Sequence, residues 1–68
     1  MKIIYDRETD TISLIFNDSD VTESDKLREG IIVDYNAQGQ VVSVEILDAS
    51  HHTPDPAAIS YEVREKTA

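Results

Sequence analysis

The sequence predicts a mainly β fold, an antiparallel meander of about four to five strands, with a small α+β arrangement as the alternative if residues 55–58 open a helix. Three observations carry that expectation. Fourteen of the 68 residues are Ile or Val, against three Leu and one Met, and β-branched side chains suit a pleated surface better than a helix. Apolar and polar residues alternate in several short runs, the period of a strand with one buried face. Cysteine is absent, so neither a disulfide nor a Cys-ligated zinc can compensate for a small core. The chain reads as one domain, with a core over residues 1–50 and a connector and packing segment over 51–68.

Residues 2–6 form a short apolar run, and in 11–17 Ile12, Leu14 and Phe16 alternate with Thr11, Ser13 and Asn17. The polar residues between them, Arg7 to Asp10, are few enough for a hairpin loop in which Asp6 or Asp10 accepts backbone N–H bonds. Residues 17–25 hold four acids and one aliphatic residue. They lead into a third strand at 21–28 whose charges blunt an exposed edge; a helical turn over 23–28 is the competing reading.

Residues 30–35 and 40–47 are the clearest pair, joined by Asn36, Ala37, Gln38 and Gly39. Gly39 suits the left-handed conformation that closes such a turn. A four-residue loop sets Val33 opposite Val42 and Ile31 opposite Val44, with Ile46 on the same face. A three-residue loop is disfavoured, because it would set Asp34 beside Val42 on the apolar side, where an unpaired carboxylate is costly. The second face then carries Ile32, Val41 and Leu47 beside Asp34, Ser43 and Glu45.

Beyond Leu47, Pro54 and Pro56 bias their preceding residues away from helix. Asp55 as an N-cap with Pro56 at the first helical position marks a turn at 55–58. Ile59, Tyr61 and Val63 alternate with Ser60, Glu62 and Arg64 as a final strand at 59–64. Residues 65–68 are expected to fray. The predicted core is Ile3, Tyr5, Ile12, Leu14, Phe16, Ile31, Val33, Val42, Val44 and Ile46, capped by Ile59, Tyr61 and Val63.

Fourteen acids against six bases give a net charge of −8, and no Lys or Arg lies between Arg28 and Arg64. Without a basic stripe to displace counterions, nucleic acid is a poor partner, and an anionic membrane surface repels the chain. No apolar run approaches a membrane span, and the run after Lys2 meets a charge at Asp6 too soon for a signal peptide, so a cytoplasmic location is expected. Apolar residues on both sheet faces point to a second subunit, a homodimer being the simplest cover.

Asp34, Ser43 and Glu45 share one face of the central hairpin and form the candidate partner-binding set, able to hold a Lys or Arg of a basic protein. Asp48, His51 and His52 are the weak candidates for a metal site; neighbouring histidines seldom ligate one ion, and a polar connector is the plainer reading. No cofactor is expected. Tyr5, Asp6, Glu8 and Asp10 offer paired carboxylates of the kind used on glycosidic bonds, without room for a sugar cleft. Asn17 to Asp20 with Thr22 lacks the glycine and the spaced Glu of an EF-hand.

The run Met-Lys-Ile-x-Tyr-Asp-x-Glu-x-Asp at 1–10, the block Gly-Ile-Ile-Val-Asp-Tyr-Asn-x-x-Gly at 30–39 and the block Val-x-Ser-Val-Glu-Ile-Leu-Asp-Ala-Ser at 41–50 resemble the small bacterial family called domain of unknown function 2283. The tail Asp-Pro-x-x-Ile-x-Tyr-x-Val at 55–63 also resembles that of members. Ser43 departs from the pattern, since members often carry Gly there, and any close backbone approach that Gly marks is looser here. The resemblance implies a β-rich bacterial protein with no established activity, and it transfers no catalytic residue. It also suggests an antitoxin-like role, because some relatives are thought to lie beside toxin genes. The expected function is therefore a non-catalytic self-associating or protein-interaction module. The alternatives are an antitoxin-like binder of a basic toxin and a small metal-dependent enzyme using Asp48, His51 and His52.

Overall fold

In a computed structural model, which describes residues 1–67, five strands form one open antiparallel sheet. They are β1 (Lys2–Asp6), β2 (Thr11–Ile15), β3 (Glu23–Arg28), β4 (Ile31–Tyr35) and β5 (Val41–Ile46). A 3-10 turn at Ala49–His51 follows, and among the described residues no α-helix forms. The mainly β expectation holds, the α+β alternative does not, and residues 23–28 are a strand rather than a helical turn.

The strand order is β1-β2-β5-β4-β3, which departs from a simple meander. The two hairpins adjoin directly through β2 and β5, and β3 folds back onto the outer side of β4. The physical reason lies in composition. β2 and β5 can bury aliphatic side chains between neighbours, whereas β3, with four charged residues and every position exposed, satisfies its backbone best with one neighbour and water on the other side. Residues 16–22 are consequently a crossover rather than a lead-in. They pass the end of the β4–β5 hairpin and are tied to it in sequence: the Phe16 N–H donates to the Val42 carbonyl at 2.8 Å, Asn17 Nδ2 to the Val41 carbonyl at 3.1 Å, and the Thr22 N–H to the Tyr35 carbonyl at 2.8 Å.

The β4–β5 register differs from the expected one. Val33 faces Val44 and Ile31 faces Ile46, two residues along from the predicted partners. The Asn36 N–H donates to the Gln40 carbonyl at 3.0 Å, so the loop is the three-residue one, Ala37 to Gly39, with Gly39 left-handed at φ 79°. That loop would carry Asp34 to the apolar side, but a register shift at Asp34/Tyr35 inserts one extra residue into β5. The bulge restores Asp34 opposite Ser43, so the division of faces holds for residues 31–34 against 43–46, while Val41, expected beside Asp34, instead lies opposite Tyr35 on the face of Val33.

Directly opposed residues share a face. On one face two rows cross β1, β2, β5 and β4: Ile3, Leu14, Val44, Val33, and Tyr5, Ile12, Ile46, Ile31. Charge enters these rows only at the outer strand, with Asp25 and Arg28. The other face alternates character, with rows Lys2, Ile15, Ser43, Asp34, Ser24 and Ile4, Ser13, Glu45, Ile32, Lys26. Among the described residues, only Val33, Val42 and Ala49 are buried hydrophobics. The rest of the predicted core is half-buried, except Phe16, which is exposed. Even Leu14 and Val44, on central strands, keep solvent contact.

The tail corrects two further expectations. Residues 55–58 make a single turn, with the Ala58 N–H on the Asp55 carbonyl at 3.0 Å and the Ala57 N–H on Asp55 Oδ1 at 3.2 Å. Residues 59–64 are not a strand in this chain. Ile59, Tyr61 and Val63 remain 54%, 78% and 66% exposed and do not cap the sheet. The alternation is present, but no backbone edge of this molecule takes it up, and a strand needs a partner for its N–H and C=O groups. Of residues 65–68, Ala68 lies outside the described residues.

Candidate functional site

The bulge in β5 and the edge pairing of β3 together bring Asp34 between two hydroxyls. Ser24 Oγ on β3 donates to Asp34 Oδ1 and Ser43 Oγ on β5 donates to Oδ2, each at 2.6 Å. Both carboxylate oxygens are therefore held by short charge-assisted bonds, which fix the orientation of the group on an open sheet surface. Glu45 lies one row away, opposite Ile32 and Ser13. The predicted set Asp34, Ser43 and Glu45 is thus gathered on one face. Ser24 completes it and was missed, because its alignment with Asp34 follows only from β3 pairing with β4. Ser43 supplies a hydroxyl that a glycine at this position would lack.

A second polar centre forms around Asp10, which sits in the left-handed region at φ 54°. Its carboxylate accepts from the Tyr5 hydroxyl at 2.7 Å, from Ser50 Oγ at 2.6 Å and from the Ser50 N–H at 3.2 Å. Its carbonyl accepts from the Ala49 N–H at 2.9 Å. These bonds fasten the 3-10 turn to the first hairpin loop and seat Ala49 in its fully buried position. The hydrogen bonds from Ser50 and then Tyr5 hold the Asp10 carboxyl below its ordinary range. The same bond to Asp10 raises the Tyr5 hydroxyl above its usual value, while Arg7 lies 5.9 Å over the Tyr5 ring. Asp6 takes the simpler turn role, accepting from the N–H groups of Glu8 at 2.9 Å and Thr9 at 3.3 Å.

Asp48, His51 and His52 line a shallow cleft of about 200 Å³ with Glu29, Gly30 and Leu47. Asp48 lies at φ 51° and caps nothing with its side chain; its carbonyl accepts the His51 N–H at 2.9 Å. Among the described residues, no three His, Cys, Asp or Glu side chains come together to hold an ion. No helix of the described chain is long and apolar enough to cross a membrane.

No curated protein and no solved structure matches the chain at a significant level. The model of the family described as protein of unknown function (DUF2283) matches residues 2–50, a span that holds all five strands and ends at Ser50, the residue tied to Asp10. On that match, covering most of the sequence, the chain belongs to the DUF2283 family.

Proposed function

We propose that the chain is a non-catalytic interaction module that self-associates through the aliphatic sheet face and turns the Asp34 face outward. The division of charge between the two faces carries this reading. Eight apolar residues in two rows across four strands hold no charge, although the chain has a net charge of −8. Seven of those eight stay partly exposed, so one layer of sheet does not fully bury them, and sheets reach full burial by stacking face to face about 10 Å apart. The occupant that suits an uncharged face on a strongly acidic protein is a second copy, because a symmetric pair leaves both sets of acids on outer surfaces.

Sedimentation equilibrium at micromolar concentrations, in low and moderate salt, tests this. A dimer that tightens with salt is expected, since the two acidic copies repel at long range and salt screens that repulsion. A monomer at all concentrations, with its sheet intact by circular dichroism, overturns the reading.

The outward face, with Asp34 fixed by Ser24 and Ser43 and Glu45 beside it, is the surface we assign to a basic protein partner. An oligolysine peptide serves as the probe. Binding that fades with salt and falls more in Asp34→Asn than in Asp18→Asn supports the assignment, whereas equal loss in both variants refutes it.

A further inference from the structure

We infer that residues 59–63 of each copy dock on the β1 side of the other copy, with Tyr61 taking, against Met1 and Ile3 of the other copy, the place that copy's own Tyr61 holds in the single chain. The inference rests on the self-association reading and adds its second contact. Three observations lead to it. Ile59, Tyr61 and Val63 alternate with Ser60 and Glu62 as in a strand with one apolar face, yet form no strand in their own chain. Ile59 and Tyr61 lie beside β1, where with Met1 and Ile3 they line an open cleft of about 530 Å³, and all three apolar residues still keep more than half of their surface in water. The outer side of β1 has no strand partner in the sheet, so its outward N–H and C=O groups are free to receive an extended segment.

Interface area decides between a face-only contact and one that includes the segment. Four strands about 4.8 Å apart and five residues long present about 320 Å² in projection, or about 640 Å² for two copies. Stable interfaces bury about 1,200–2,000 Å² in total. The exposed parts of one Tyr and two aliphatic side chains add on the order of 350 Å² per copy, which brings the pair to about 1,350 Å² and into that range. A two-fold axis makes the contact reciprocal, each segment covering the other copy's cleft.

The double variant Ile59→Ser, Tyr61→Ser changes side chains that are exposed in the single chain, so its sheet is expected to stay intact by circular dichroism. Its dimer is expected to be weaker by at least about tenfold in sedimentation equilibrium, as for loss of a central aromatic anchor. A variant dimer as tight as the parent overturns the inference and leaves self-association standing, whereas a monomeric parent protein overturns both. A second measurement uses the absence of cysteine. Ile3→Cys and Tyr61→Cys chains, mixed under mild oxidation, are expected to join predominantly as a mixed disulfide pair. Pairing no more frequent than random combination overturns the docking of Tyr61 on the partner's β1.

Discussion

Replacing Asn36 by Ala tests whether the turn between β4 and β5 is held by one side chain. Asn36 is only 6% exposed. Its Oδ1 accepts from the N–H groups of Gln38 at 3.1 Å and Gln40 at 2.9 Å, and its Nδ2 donates to Gln40 Oε1 at 2.9 Å and more weakly to Ser19 Oγ at 3.4 Å. Three good neutral bonds at about 1 kcal/mol each give about 3 kcal/mol. Gln38 and Gln40 are exposed, so their freed amides rehydrate in part and the net loss settles at about 2 kcal/mol. For a chain of this size the urea slope is about 1 kcal/mol/M, which places the expected fall in unfolding midpoint at about 2 M, measured at one fixed protein concentration because association adds to apparent stability. Asn36→Asp keeps both acceptor bonds, and the Gln40 amide can turn to donate, so less than half the loss is expected. A loss below about 0.5 kcal/mol in the Ala variant, or equal losses in the two variants, refutes the account.

Gly39→Ala is expected to cost about 1 kcal/mol, since the residue sits at φ 79° with nothing near an added Cβ and only backbone strain is introduced. Gly39→Asn recovers most of that loss in the same urea titration, and an unchanged midpoint in the Ala variant counts against a left-handed Gly39. The profile of Tm against pH responds to the Asp10 centre at both ends. Because its folded pKa lies below the usual aspartate value, Asp10 contributes stability above that value and loses it as pH falls through the lowered pKa. Tyr5 is raised above the usual tyrosine value, so its contribution is complete below that value and is lost as pH rises through the raised pKa. Asp10→Asn flattens the acid limb and Tyr5→Phe the alkaline one; parallel profiles for all three proteins would rule the linkage out.

Much of the sheet is legible in local patterning, because each hairpin signal is contained within some fifteen residues. The alternation of Ile12, Leu14 and Phe16, and the aliphatic runs around Asn36 to Gly39, mark β2, β4 and β5 without help from the rest of the chain. What escapes is set by long-range pairing. The Ser24, Asp34 and Ser43 row depends on β3 crossing to the far edge, and the Asp10 to Ser50 tie joins residues 40 apart in sequence. The bulge in β5 escapes for a different reason. Loop length and face polarity pull the register in opposite directions, and an inserted residue satisfies both, which a choice between two regular hairpins does not contain. Residues 59–64 show the converse, where period alone predicts a strand but the segment pairs with no edge of its own chain.

The strand order also has a kinetic side. Each outer pairing links near neighbours in sequence, so β1 with β2, and β3 through β5, can assemble as two local units in microseconds. The seam between them, where Leu14 meets Val44, closes a loop of some thirty residues and carries the larger entropic cost. Folding therefore converges on a late docking of two hairpin units along β2 and β5. Substitutions at that seam, or in the units formed before it, slow the approach to the native state, while contacts added only afterwards act mainly on how fast the finished sheet comes apart.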